Sequence, residues 1–182
     1  MNVSIPAFFI TLSQIQVMNQ VGKIFAIVTG LFLFSGCPVA VPYPLGVKGT
    51  EKIDKALVDT WIQSDSSKEV IEMKIDRVDD YTLHITVLSK GEMYSEDVES
   101  FNAWCTMVDN KKFICLQDDT DTKASYYTYC YEVAGKMLKS YDIGLLVGGT
   151  DAVTSTDAYR KEVSASLKKE DALSSETVWS RR

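Results

Sequence analysis

Residues 70–88 read VIEMKIDRVDDYTLHITVL, and they decide the fold. Ile71, Met73 and Ile75 alternate with Glu72, Lys74 and Asp76. After Asp79-Asp80, Leu83, Ile85 and Val87 alternate with Thr82, His84 and Thr86. A repeat of two puts successive side chains on opposite faces of an extended chain, so each run is a half-buried strand. Two such runs, Val70 to Arg77 and Tyr81 to Leu88, on either side of a short acidic turn make a β-hairpin.

The same grammar extends outward. A second hairpin joins Phe101–Val108 to Phe113–Leu116 across Asp109-Asn110-Lys111-Lys112, and a third joins Tyr126–Val133 to Met137–Tyr141 across Ala134-Gly135-Lys136. Val58–Gln63 in front and Glu176–Arg181 behind bring the total to about eight strands. One helix is expected, Ser155 to Lys169, with Thr154 and Asp157 in a capping-box spacing and Tyr159, Val163 and Leu167 as its apolar stripe. Consecutive hairpins predict a mainly β chain folded as an up-and-down antiparallel barrel, closed to hide its edges, with the helix before the last strand.

At the front of this region, Leu57-Val58-Asp59-Thr60-Trp61 resembles the L-x-G-T-W opening of lipocalin-like barrels. The resemblance implies that Trp61 plugs one end of the barrel and that an arginine of the last strand, Arg181 or Arg182, covers it. Two departures accompany it: Asp59 stands where the family has glycine, and the helix precedes the last strand rather than following it.

The 182 residues are 46% hydrophobic and 24% charged, an ordinary globular composition. Nineteen Lys and Arg against 25 Asp and Glu leave a net charge of −6, a poor basis for nucleic-acid binding, which needs clustered cations. A single histidine excludes a multi-histidine metal site.

Upstream of the barrel the chain changes character. Residues 1–36 carry one charge, Lys23, and Ile24 to Phe34 is an apolar run of 11 residues. About 20 are needed to span a bilayer, so a cation, a short apolar core and small residues read as a secretory signal peptide. Met18, which opens MNQVGK, is a better start for such a leader than Met1. Leu33-Phe34-Ser35-Gly36-Cys37 resembles the lipobox of bacterial lipoproteins, although Phe34 stands at the usually aliphatic position. By that resemblance the chain is cleaved before Cys37, which becomes acylated on sulfur and on its new amino terminus. Pro38, where an inner-membrane retention aspartate stands in families of this kind, implies the outer membrane, with the domain facing the periplasm. Residues 37–50 hold three prolines and two glycines and read as a lipidated tether, which leaves 51–182 for the barrel.

The candidate sites are few. Cys105 and Cys115 face each other across the second hairpin if its register is symmetric about Asn110, and an exported domain would oxidise them. Closing that loop contributes about 3 kcal/mol. A link from Cys115 to Cys130 is the other arrangement. Tyr127, Tyr129 and Tyr131 share one strand face with Val133, as core packing or as a binding surface with large contact area and polar tips. His84 lies on a polar strand face with no nucleophile motif near it. Counted from Asp119, Ala124 and Cys130 occupy the sixth and twelfth places, which breaks the calcium-loop pattern. Gly148-Gly149-Thr150 lacks the lysine of a phosphate loop and reads as a turn.

The expectation is a lipid-anchored envelope protein, not an enzyme, with no cofactor or metal. Its barrel takes a small apolar ligand or an envelope protein, and its membrane contact runs through the anchor. A surface-acting assembly factor is the alternative, and a carboxylate hydrolase using Asp76, Asp79 and Asp80 comes third.

Overall fold

A computed structural model describes residues 40–64, 70–90, 96–118 and 125–182. The leader, Cys37 and most of the acidic run, residues 119–122, lie outside the described residues. The strands are β1 (Asp59–Ser64), β2 (Val70–Arg77), β3 (Leu83–Lys90), β4 (Glu96–Val108), β5 (Lys111–Asp118), β6 (Tyr126–Ala134), β7 (Met137–Ile143) and β8 (Leu173–Arg181). They form a closed barrel in sequence order, each antiparallel to the next, as the chain of hairpins predicts. The one α-helix among the described residues, α1 (Thr156–Ser166), precedes β8. Its cap is Ser155, whose hydroxyl accepts from the Ala158 amide, rather than Thr154.

Alternation in the sequence becomes inside and outside in the barrel. Trp61, Ile75, Leu83, Ile85, Ala103, Cys105, Ile114, Leu116, Tyr131 and Leu138 share the inner core. A second core lies outside, where Trp104, Val108, Phe113, Cys115 and Cys130 of β4–β6 meet Tyr159 and Val163 of α1. That is why Phe113 to Leu116 is buried at every position instead of alternating. Both faces of β5 are covered, one by the interior and one by the helix layer.

The stretch expected to be a free tether is part of this outer layer from Val41 onward. Val41 exchanges both backbone hydrogen bonds with Tyr126 at the start of β6, and Leu45 is buried. The chain approaches β4 so closely at Gly46 that a Cβ there would stand 2.5 Å from the Thr106 side chain, while the Trp104 indole donates to the Gly46 carbonyl at 2.6 Å. Arg160 of α1 fastens this strap, donating to the Leu45 carbonyl, the Thr106 hydroxyl and the Met107 carbonyl. Apolar Val41 and Leu45 had a core to enter, which a proline-rich composition does not reveal.

Closure depends on the chain ends. β1 and β8 pair at Trp61↔Arg181 and Ile62↔Ser180. Trp61 is 0% exposed and donates through its indole to the Leu57 carbonyl at 2.8 Å. The Arg181 guanidinium sits 4.9 Å from the indole centroid, donates to the Ala56 carbonyl, and places Nε 3.0 Å from the Asp59 carboxylate. Asp59, the residue that departs from the lipocalin-like pattern, is thus the arginine's ion partner.

The connection between β7 and α1 is held by a buried carboxylate. Glu162, 6% exposed, accepts from the Val147 and Gly148 amides at 3.0 and 2.9 Å and from the Ser166 hydroxyl at 3.1 Å. Burial pushes its carboxyl upward, but these hydrogen bonds outweigh that and hold it below its ordinary value.

Trp61→Ala removes a fully buried aromatic and should cost about 3–5 kcal/mol in urea unfolding. Val78→Ala on the exposed turn should stay within about 0.5 kcal/mol of wild type. Glu162 has a depressed folded-state value, so its contribution is complete well above pH 4.5 and is lost as pH falls through the folded value. Glu162→Gln should lower stability by about 1–3 kcal/mol at pH 7 and flatten that acid limb. An unchanged acid limb in the variant would show that Glu162 does not carry it.

Candidate functional site

The three tyrosines singled out in the sequence point into the barrel rather than outward. Tyr131 belongs to the inner core, and Tyr127, Tyr129 and Val133 pack against it half-buried. The stripe runs from the base, where the β2–β3, β4–β5 and β6–β7 turns and the 3₁₀ turn Lys55–Leu57 lie, toward the opposite end, where β6 begins.

The base is sealed. Ile53 and Leu57 join Trp61 beneath the barrel. Around them, the Tyr131 hydroxyl lies 3.5 Å from Asp54 and 3.6 Å from the Cys105 sulfur, with one proton to share between them, and the Lys112 ammonium reaches Asp54 at 2.7 Å. Burial raises the Asp54 carboxyl, but the Lys112 contact and the Ala56 amide bring it below its usual value. Burial pushes the Tyr131 phenol far up, so it serves as a hydrogen-bond donor.

Above this floor the interior is aromatic and only partly buried. Phe101 and Tyr127 meet edge to face with centroids 6.3 Å apart, and Met73, Val87 and Trp179 complete the wall. The Trp179 indole donates to the Ser140 hydroxyl at 3.2 Å. Tyr129 stands opposite Asp142 across β6–β7. Burial raises both groups, and the Asp142 charge raises the Tyr129 phenol further. The arrangement offers apolar contact area, tyrosine hydroxyls and a carboxylate near the rim, a combination suited to holding a ligand. Phe101, Trp179 and Asp142 escape sequence reasoning because their convergence requires barrel closure.

The cysteine expectation is corrected by the register. The β4–β5 turn has two residues, Asp109 and Asn110, with φ of 49° and 62°. That is the twisted two-residue hairpin turn that Asp and Asn tolerate, not a four-residue loop. It pairs Cys105 with Ile114 and Trp104 with Cys115, so Cys105 points inward and Cys115 outward. A one-residue shift moves a side chain to the other face of a sheet, and no bond joins the two sulfurs. Cys130 lies on the outer face near Cys115, and all three are buried free thiols. Burial pushes the Cys115 and Cys130 thiols up to about 11 and also raises Cys105, which keeps them protonated and unreactive.

The acids weighed for hydrolysis have local partners. Asp79 accepts from the Tyr81 amide at 2.7 Å and Asp80 pairs with Arg77, so both build the β2–β3 turn. Asp76 is paired to Lys74 at 2.8 Å. His84 places Nε2 2.9 Å from the Ser100 hydroxyl, and Asp76 is its cross-strand neighbour. These are the residue types of a hydrolytic triad, but the carboxylate is engaged by Lys74. The trio stands on the outer wall of the β2–β3–β4 ladder. Gly148 supplies its amide to Glu162, and Gly149, at φ 67°, opens the 3₁₀ turn Thr150–Ala152. Among the described residues no group of three or more His, Cys, Asp or Glu could hold a metal ion, and no helix is long and apolar enough to cross a membrane.

Non-reducing mass mapping should recover Cys105, Cys115 and Cys130 as thiols that react only after unfolding. A peptide pair joining Cys105 to Cys115 would mean that the β4–β5 register is shifted by one residue.

No protein-family profile, no curated protein and no solved structure matches this chain, so its function is read from its own residues and geometry.

Proposed function

We propose that this chain is a lipid-anchored, non-enzymatic protein of the bacterial cell envelope whose barrel takes up a small, largely apolar ligand. The half-buried stripe of Phe101, Tyr127 and Tyr129 above a sealed base carries this reading. A stripe on the outer wall would have favoured a protein partner. An inner stripe offers its rings to something that enters the barrel, and tyrosine provides contact area with a polar tip. The anchor rests on the leader and on the lipobox resemblance of residues 33–37, and the outer membrane on Pro38. Several acyl chains together make such an anchor stable where one alone is marginal.

Lipid attachment is tested by phase partition. Wild-type protein should enter the detergent phase, and Cys37→Ala should not. Ligand uptake is tested with a fluorescent apolar probe added to membrane-purified protein. Phe101→Ala and Tyr129→Ala should each weaken binding about tenfold, which is about 1.4 kcal/mol. Met137→Ala, at the exposed base, should leave it unchanged. A wild-type protein that binds no probe, or equal binding by all variants, would overturn the ligand reading.

A further inference from the structure

We infer that the anchor at Cys37 holds the end of the barrel where β6 begins, opposite the sealed base, against the lipid bilayer, so that the ligand proposed above is exchanged with the membrane surface. This rests on lipidation of Cys37 as proposed above. The carrying observation is where the strap joins the barrel. Val41 bonds to Tyr126, the first residue of β6, at the end opposite the sealed base. From there the chain descends the outer wall by way of Gly46 at Trp104 and reaches the base at Ile53, whose amide donates to the Asp80 carbonyl of the β2–β3 turn, and at Asp54.

The reach of the chain then selects an orientation. Four residues from Cys37 to Val41 span at most about 14 Å when fully extended. β6 runs nine residues from the rim to the base, about 26 Å at roughly 3.3 Å per residue. With barrel strands tilted by roughly 40°, the base lies about 20 Å below the rim. An anchor embedded in the bilayer therefore cannot let the base face the lipid, because the link is shorter than the domain is tall. The rim can reach it. On the outer wall near that rim, Val98 is 61% exposed opposite Leu88, an apolar pair at the height where headgroups would meet the protein. The mature chain is acidic, which gives an anionic surface no attraction of its own and leaves the anchor to set the approach.

Two exposed valines make matched reporters: Val98 near the rim and Val78, 59% exposed, at the base. Each is replaced by cysteine in the full-length protein, expressed in a bacterial host and purified from membranes. Lipid on Cys37 is verified by mass spectrometry, and the buried native thiols are left unlabelled. A fluorophore on Val98→Cys should be quenched several-fold more strongly than one on Val78→Cys in phosphatidylcholine vesicles containing headgroup spin-labelled lipid. A second pair carries a Gly-Ser insert of about 20 residues after Pro38, long enough at roughly 25 Å for either end to reach the surface. In that pair the difference between reporters should vanish. Equal or base-selective quenching in lipidated protein without the insert overturns the orientation while leaving the anchor standing. Rim-selective quenching that survives the insert overturns the role of the short link. Absence of lipid on Cys37 overturns both the anchor and this inference.

Discussion

The barrel closes over two residue pairs. Every other pair of neighbouring strands is registered over six or more residues, but β1 and β8 meet only at Trp61↔Arg181 and Ile62↔Ser180. So short a ladder is a weak seam in a sheet that must have no edge. The side chains reinforce it. Arg181 stacks on the buried Trp61 indole and reaches Asp59 and Ala56 across the seam, and the Arg182 amide adds a bond to the Thr60 carbonyl. A cation over an indole contributes roughly 0.5–2 kcal/mol depending on how far it is desolvated. The same cluster fills the base, so the residues that close the sheet also floor the interior.

The second constraint is external. β4, β5 and β6 carry apolar side chains on both faces, and the outer ones need a cover. The strap from Val41 and helix α1 provide it, joined to each other by Arg160, while the Glu162 carboxylate under the Val147 and Gly148 amides holds α1 to the connection from β7. Two cores thus share one wall. Cys105 is in the inner core and Cys115 in the outer one, within a sheet a single strand thick.

Those two constraints give the molecule polarity. One end is filled by Trp61, Leu57 and Ile53 and ringed by Asp54, Tyr131 and Lys112. The other keeps Phe101, Tyr127 and Tyr129 half-buried, and it is also where Val41 of the strap pairs with Tyr126. A binding interior and an anchoring point at the same end couple ligand uptake to the membrane surface in the proposed reading. No moving part is required, only a short link.

Eight strands, the faces of β2 and β3 and the position of the helix were legible in the sequence. Polar–apolar alternation, as at Ile71, Met73 and Ile75, is a local property that needs no partner to be legible. It also marked Trp61 and the terminal arginines, although only through a family resemblance. Other features required the fold. The β4–β5 register turns on which residues take positive φ, and Asp109 and Asn110 do so where a longer loop was equally consistent with the composition. That single-residue difference reverses the face of Cys115. Val41 and Leu45 in a proline-rich stretch look like tether residues until a wall stands beside them. Phe101, Tyr129 and Asp142 lie on three strands, and only the closed ring gathers them around one interior. Side-chain periodicity is set by each residue's own backbone geometry, whereas register and convergence are set by contacts between segments far apart in the chain, and those exist only in the folded barrel.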